Sequence, residues 1–117
     1  RTDPLMRQKM AQAYIDCEVL KLNNYRALTR LLRGEPAGPE GSIAKLHWAE
    51  TNQRMQDLAV EMQGVGGQLY QEVETSEGVN YWQYGFLRAR ANTIEGGTSE
   101  ILRNIIAERV LQLPKGR

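Results

Sequence analysis

Cysteine and histidine are scarce in this sequence, with one of each among 117 residues. Cys17 therefore cannot form an internal disulfide, and one cysteine with one histidine does not make a zinc site. Cys17 lies among helix-forming residues, so we interpret it as a small core residue and not as a nucleophile. His47 could be proposed as a catalytic base, but the sequence gives it no partner, and we interpret it as a hydrogen-bonded histidine on a helix face.

Long apolar runs and an excess of one charge are also lacking. No stretch approaches the ~20 apolar residues of a membrane-spanning helix, and the N-terminus has no apolar region of the signal-peptide type. Lysine and arginine number 15 against 14 aspartates and glutamates, which gives a net charge of +1. That balance gives no reason to expect binding to nucleic acid or to an anionic membrane. We expect a single cytoplasmic domain.

The residues that are present favour helices. Asp3 is a typical N-cap and Pro4 a typical first helical residue, and apolar residues then recur three and four apart until Arg33-Gly34. A helix of this length spans ~45 Å, which is typical of a bundle or a subunit interface. Because the chain opens at Arg1 without an initiating methionine and passes directly into this helix, we expect it to be part of a longer protein.

A loop rich in glycine and proline at 34–41 precedes a second helix, which we expect to begin at Ser42 and to end at Gln63-Gly64. One face of this helix is apolar. The other face is polar, and we expect it to be solvated or to form salt bridges; it carries Lys45, Glu50, Gln53, Arg54, Gln56, Asp57 and Glu61.

Two further helices follow a polar stretch that we interpret as a surface loop. The third helix is predicted over Val79 to Asn92 with an interruption at Gly85, and the fourth from about Thr98 to Leu111, before Pro114. Bulky groups between Tyr81 and Leu87 indicate a core or a subunit interface in preference to a stacking site. The pattern predicts an all-α antiparallel helical bundle with three long helices and one shorter helix.

The stretch from Ile94 to Ile101 carries the clearest functional signal. Two glycines, which allow close approach of the backbone to a ligand, precede a Thr-Ser pair able to cap the last helix. A helix start of this kind favours a phosphate or another electron-rich group at Thr98 to Glu100, although an ordinary capping box has the same residues. A second glycine turn, Gln63 to Gly67, is weak evidence by itself, because a helix C-cap also uses glycine.

Read together, the two glycine segments resemble the motifs of the acyl-CoA dehydrogenase family. Gly-Gly-Thr-Ser-Glu-Ile, with Arg103 and Ile105 to Arg109 behind it, is similar to the closing motif of bacterial members, and Gln63 to Gly67 is similar to the Gln-x-x-Gly-Gly turn. The resemblance covers nearly all 117 residues. It implies that residues 1–117 form the C-terminal helical bundle of a three-domain, FAD-dependent flavoprotein that oxidises acyl-CoA, passes electrons to a partner and forms homo- or hetero-oligomers.

The resemblance also implies roles for individual residues. The turn that would meet the adenosine end of a neighbouring subunit's FAD consists of Gln63, Gly64, Val65, Gly66 and Gly67. Thr98, Ser99 and Glu100 would lie against the flavin of the other site, and Gly97 beside the substrate thioester. Many members carry the catalytic base where this chain has Gly96. Glu95, one position earlier, is a candidate base; the alternative is a base on a helix upstream of Arg1, as in isovaleryl-CoA dehydrogenase-like enzymes.

Three alternatives stay open from the sequence. A subunit without a base could be the non-catalytic partner in a heteromeric dehydrogenase. Flavin-dependent monooxygenases of the same fold need no base, so the loss at Gly96 does not exclude them. The chain could also be an assembly module whose glycine turns are plain caps. In each case we expect the isolated bundle to be inactive as a dehydrogenase, because most of the flavin and acyl-CoA contacts lie in the missing domains.

Overall fold

The computed structural model of the chain describes residues 3–36, 38, 40–70 and 81–115. Within these ranges all the regular secondary structure is helical and no strand forms, which confirms the all-α prediction. The elements in chain order are α1 (Pro4–Leu32), α2 (Glu40–Met62), a short 3₁₀ helix (Gly64–Gln68), α3 (Tyr81–Asn92) and α4 (Ser99–Arg109). Most of the predicted surface loop, and the predicted start of α3 at Val79, lie outside the described residues.

Helix α1 begins and ends where the sequence predicts. The Asp3 carboxylate accepts a hydrogen bond from the Leu5 amide at 2.9 Å, and Pro4 occupies the first turn, where its missing N–H costs nothing. At the other end Arg33 is the C-cap and Gly34 takes a φ of 71°, a conformation that favours glycine. Local capping chemistry therefore defines both ends of the longest helix.

Helix α2 begins two residues earlier than predicted, at Glu40, so Ser42 lies inside the helix and does not cap it. Arg30, near the end of α1, forms ion pairs with Glu40 and with Glu35. The pKa of Glu40 lies below its usual range. The larger cause is the hydrogen bond that the Glu40 carboxylate accepts from its own backbone amide, and the next is the bond from the Arg30 guanidinium. A negative charge in the first turn also complements the helix dipole, so the ionised Glu40 stabilises the start of α2.

Helix α2 is the centre of the fold, because it packs against α1, α3, α4 and the 3₁₀ helix. Two ion pairs, Lys9 with Glu61 and Arg30 with Glu40, join opposite ends of α1 and α2. These pairs match the start of one helix with the end of the other, which confirms the antiparallel arrangement. Among the described residues α1 packs against no helix other than α2.

Helix α3 is continuous through Gly85, so the predicted interruption is wrong. A Cβ at this position would collide with the side-chain amide of Gln56 on α2. The glycine therefore serves close contact between α2 and α3 and does not break the helix. The Oε1 atom of Gln56 is buried here and has no hydrogen-bond partner among the described residues.

The core of the described chain is small. Its buried apolar residues are Ala49, Ala89 and Leu102, and α1 contributes none. The radius of gyration is 17.6 Å, against about 13 Å for a compact domain of this length. In the part of the chain that is described, no helix has the length and apolar character needed to span a bilayer.

Large apolar side chains instead cover the outer face of α1, the side opposite α2. The outer face of α1 carries Tyr14, Ile15, Leu22, Tyr25 and Leu32, with Leu22 exposed at 61% and Leu32 at 79%. The aromatic cluster of α3 is also largely at the surface, since Tyr81, Tyr84 and Leu87 are exposed. Within the described residues, these α3 side chains are not core residues.

Candidate functional site

The turn between α3 and α4 is shaped by its two glycines. Gly96 and Gly97 have φ angles of 65° and 104°, which side-chain-bearing residues rarely adopt. Before them, the amides of Ile94 and Glu95 donate to the carbonyl of Ala91 at 2.9 and 2.8 Å. Among the described residues no acceptor meets the N–H groups of Gly96, Gly97 and Thr98. This glycine turn, residues 93–98, therefore offers backbone donors to a ligand.

Polar side chains of α2 hold the glycine turn in place. The Lys45 ammonium donates to the carbonyl oxygens of Asn92 at 2.8 Å and of Gly97 at 2.7 Å. Two turns further along α2, Asn52 donates to Oδ1 of Asn92 at 2.8 Å, and the neighbouring Gln53 donates to Oγ1 of Thr93 at 2.9 Å. The prediction that Lys45 and Gln53 lie on a solvated or salt-bridged face is therefore wrong. Sequence polarity alone does not reveal that the partners of these side chains are backbone carbonyls and a hydroxyl.

Glu95, the candidate base, lies in an ion pair. Both of its carboxylate oxygens accept from the Arg88 guanidinium, at 3.1 and 3.0 Å, and Oε1 also accepts from Asn92 at 2.7 Å. Arg88 and then Asn92 hold the pKa of Glu95 below its usual range. A general base works best with a pKa near the operating pH, so this environment disfavours proton abstraction by Glu95.

The N-terminus of α4 is capped by the chain itself. Thr98 is the N-cap, and its hydroxyl accepts from the Ile101 amide at 3.3 Å, while the buried Ser99 donates its amide to the carbonyl of Thr93 at 3.2 Å. The pKa of Glu100 is lowered, first because its carboxylate accepts a hydrogen bond from its own backbone amide and second because it accepts one from the Thr98 hydroxyl. The first amides of α4 are thus occupied, so an anion at this helix end would have to displace them. Helix α4 ends at Arg109, two residues before the predicted end.

A cleft of about 520 Å³ lies beside the start of α4, between α2 and the glycine turn. Three segments line it. Helix α2 contributes Glu50, Gln53, Arg54 and Asp57, the first part of the turn contributes Thr93 and Ile94, and the start of α4 with its cap contributes Thr98, Ser99, Glu100 and Arg103. Arg103 forms an ion pair with Glu50, so charges within the cleft are partly neutralised. Thr98, Ser99 and Glu100 therefore line one cleft together with side chains of α2.

The second glycine turn, Gln63 to Gly67, forms most of the 3₁₀ helix and does not line this cleft. Gly67 is buried, and a Cβ there would lie 2.5 Å from the carbonyl oxygen of Val60. Gly66 is open, because a Cβ there would meet none of the described residues within 4 Å, and Val65 beside it is 81% exposed. The Gln63 side chain accepts from Gln83 at 3.0 Å. One glycine of this turn thus serves internal packing, and its neighbour leaves the backbone accessible.

Structural partners are found for His47, Cys17 and also Arg90. Nε2 of His47 lies 2.9 Å from the carbonyl oxygen of Asp16, which confirms a hydrogen-bonded histidine on a helix face. Cys17 is half-buried, so the prediction that it is a core residue is wrong, and its Sγ lies 3.6 Å from Sδ of Met55. Arg90 pairs with Asp57 and stacks over the ring of Phe86. The described residues contain no group of three side chains suited to a metal ion.

Comparison with known proteins decides the family. The protein-family model of the acyl-CoA dehydrogenase C-terminal domain matches residues 1–111 of the sequence. The chain belongs to the acyl-CoA dehydrogenase family. Acyl-CoA dehydrogenase IpdE1 of Mycolicibacterium smegmatis is 36% identical over 113 residues, which cover 97% of this chain and 26% of that protein. IpdE1 of Mycobacterium tuberculosis is 34% identical and is covered over 28% of its length. The chain thus spans about a quarter of these relatives.

A solved acyl-CoA dehydrogenase structure has the same fold. The steroid enzyme Tcur3481-Tcur3483 superposes with a TM-score of 0.77 and 25% identity, over 97% of this chain and 30% of that one. The match covers all four α-helices, so the arrangement around α2 is that of an acyl-CoA dehydrogenase helical domain. The recognition of the family from the two glycine segments is confirmed.

Proposed function

We propose that this chain is the C-terminal helical domain of a longer, FAD-dependent acyl-CoA dehydrogenase that oxidises acyl-CoA to 2,3-enoyl-CoA. The observation that carries the proposal is the family match over residues 1–111 to proteins roughly four times as long. The small core supports it, because a domain packed against other domains or subunits needs less apolar burial of its own. The bundle alone is inactive in this proposal.

In this proposal the chain contacts flavin at two separate places. The first is Gly66, where none of the described residues lies within 4 Å of an added Cβ, which leaves room for a ligand beside the backbone. We assign Gln63 to Gly67 to the adenosine end of a neighbouring subunit's FAD. At the second, Thr98, Ser99 and Glu100 line the cleft and lie against the flavin. Because Ser99 is buried, Thr98 and Glu100 supply the side-chain contacts there.

The glycine turn provides the substrate contact in this proposal. Gly97 lies beside the acyl thioester, where its lack of a side chain leaves room for the substrate. The bound flavin supplies a hydride acceptor for the β-hydrogen. The α-proton must go to a carboxylate, and because Glu95 is held by Arg88 and Asn92, we assign that role to a residue upstream of Arg1.

The experiment that tests this function uses the complete reading frame encoding the chain. We expect the purified protein to carry FAD and to bleach its visible absorbance when an acyl-CoA is added without an electron acceptor. A steroid-derived acyl-CoA should be assayed first, because the structural relative is a steroid enzyme. A full-length protein that neither contains nor binds FAD would contradict the proposal, and consumption of oxygen to hydroxylate the substrate would favour a monooxygenase.

A matched pair of variants tests the cofactor residues. Gln63→Ala combined with Thr98→Ala should weaken FAD binding by about tenfold or more, as expected from the loss of two polar contacts. Gln12→Ala combined with Thr98→Ser is the control, because Gln12 donates to Asp16 on its own helix and serine keeps the cap hydroxyl. Equal FAD dissociation constants for both double variants and the wild type would show that the assignment is wrong.

The outer face of α1 favours a second candidate function, an assembly module. Its exposed aromatic and aliphatic side chains would be covered in an oligomer. An assembly module should associate without any response to FAD, whereas the dehydrogenase proposal predicts that flavin binding and association occur in one full-length protein. Sedimentation with and without FAD distinguishes the two.

A further inference from the structure

One side chain of α2 is bonded to both ends of the glycine turn. The Lys45 ammonium reaches the carbonyl of Asn92, the last residue of α3, and the carbonyl of Gly97, just before the cap of α4. The two bonds, at 2.8 and 2.7 Å, join residues 47 and 52 positions away in sequence. Charge-assisted bonds of this kind are among the stronger ones in proteins. Lys45 therefore fixes the turn to the central helix.

The bond at Gly97 also affects its peptide unit. The Gly97 carbonyl and the Thr98 N–H belong to one planar trans peptide, in which the two groups point in opposite directions. With Lys45 bonded to the oxygen, the Thr98 N–H points away from α2. The ammonium polarises the peptide unit, which makes that N–H a stronger donor. Among the described residues no acceptor meets it.

We propose that Lys45 is a positioning residue for the reaction, which fixes the glycine turn so that Gly97 lies beside the substrate and Thr98 beside the flavin. This inference rests on the proposed function. Lys45 does not touch the ligand; it acts through the Gly97 and Asn92 carbonyls. Asn52 supports it by holding the side chain of the buried Asn92 from the same face of α2.

Amide hydrogen exchange of the ligand-free, full-length protein tests whether Lys45 holds the glycine turn in place. In Lys45→Met, the amides of Ile94 and Glu95, which bond to the Ala91 carbonyl, and of Ser99, which bonds to the Thr93 carbonyl, should exchange at least about tenfold faster. Lys9→Met is the matched control, since Lys9 pairs with Glu61 between α1 and α2 and does not reach the turn. Equal exchange in the wild type and both variants would overturn the proposal.

Rapid-mixing measurement of flavin reduction by acyl-CoA tests whether this positioning of the turn matters for the reaction. Lys45→Met should bind FAD but reduce it at least about tenfold more slowly at saturating substrate, as expected for a misplaced reacting group. Lys45→Arg, which keeps a charged donor, should restore most of the rate. Should Lys45→Met not fold, Lys45→Gln, which keeps an uncharged donor, replaces it, and we expect an intermediate loss of rate.

The outcomes separate the inference from the function on which it rests. A wild-type protein without FAD binding would contradict the dehydrogenase function itself. An active wild type with an equally active Lys45→Met and a loosened turn would leave the function standing and overturn the positioning role. A loss of rate that Lys45→Arg does not recover would also count against it.

Discussion

At the scale of single residues, Gly66 and Gly67 are adjacent in sequence and differ in what surrounds them. Gly67 lies against Val60, whose carbonyl oxygen and Cγ1 would be 2.5 and 2.9 Å from an added Cβ, whereas Gly66 is open. Gly67→Ala should therefore lower the free energy of unfolding by about 1–3 kcal/mol through overpacking. Gly66→Ala should leave it nearly unchanged and weaken FAD binding instead. Urea unfolding and flavin titration of the two variants check this; equal destabilisation by both would contradict it.

Glu95 gives a second prediction for a single residue. Because Arg88 and Asn92 already bind its carboxylate, Glu95→Gln in the full-length protein should change the rate of acyl-CoA oxidation by less than about tenfold. Removal of the true base would cost about 10²–10⁴ in rate. Steady-state kinetics at saturating acyl-CoA measure the difference, with Glu108→Gln on α4 as a control. A loss of the larger size would identify Glu95 as the base.

Lys45 and Gln53 show where prediction from sequence stops. Both are polar residues on a helix with an apolar face, and such residues usually point to water. Their partners here are carbonyls and a hydroxyl 36–52 positions away, and a polar backbone group leaves no periodic signal in the sequence. The motif residues Thr98 to Glu100, in contrast, could be recognised because capping chemistry is local.

At the scale of helices, the junction of α1 and α2 depends on ionised Glu40. The folded state holds its pKa below the value of the unfolded chain, so this contribution to stability is complete above about pH 4.3, the unfolded value, and is lost as the pH falls through the folded pKa. Unfolding free energies between pH 3 and 7 should fall at the acid end, and less so in Glu40→Gln. Parallel pH profiles for the two proteins would contradict this.

Helix boundaries follow the sequence closely where local signals decide and less closely where contacts do. Asp3, Pro4 and Gly34 predict α1 correctly because each acts within one turn. Gly85 was expected to interrupt α3, since glycine weakens an isolated helix. The Gln56 amide fills the space beside it, and that packing between helices outweighs the local preference. Such a contact cannot be seen from either helix alone.

At the scale of the whole molecule, the outer face of α1 predicts association. Leu22 is 61% exposed on a helix with no buried residue, so Leu22→Glu should shift the protein toward smaller species in sedimentation velocity experiments. Leu111→Glu is a matched control, because Leu111 is equally exposed but lies beyond α4. An identical distribution of species for both variants and the wild type would contradict an interface at this face.

The central place of α2 has a further consequence for how the domain comes apart. Among the described helices, α1, α3 and α4 each pack against α2 and not against one another, so detaching one of them removes few contacts from the others. Helices around such a hub open in separate steps. Limited proteolysis should therefore cut first around α1, which buries no residue, and should leave α2 to α4 as a protected remnant.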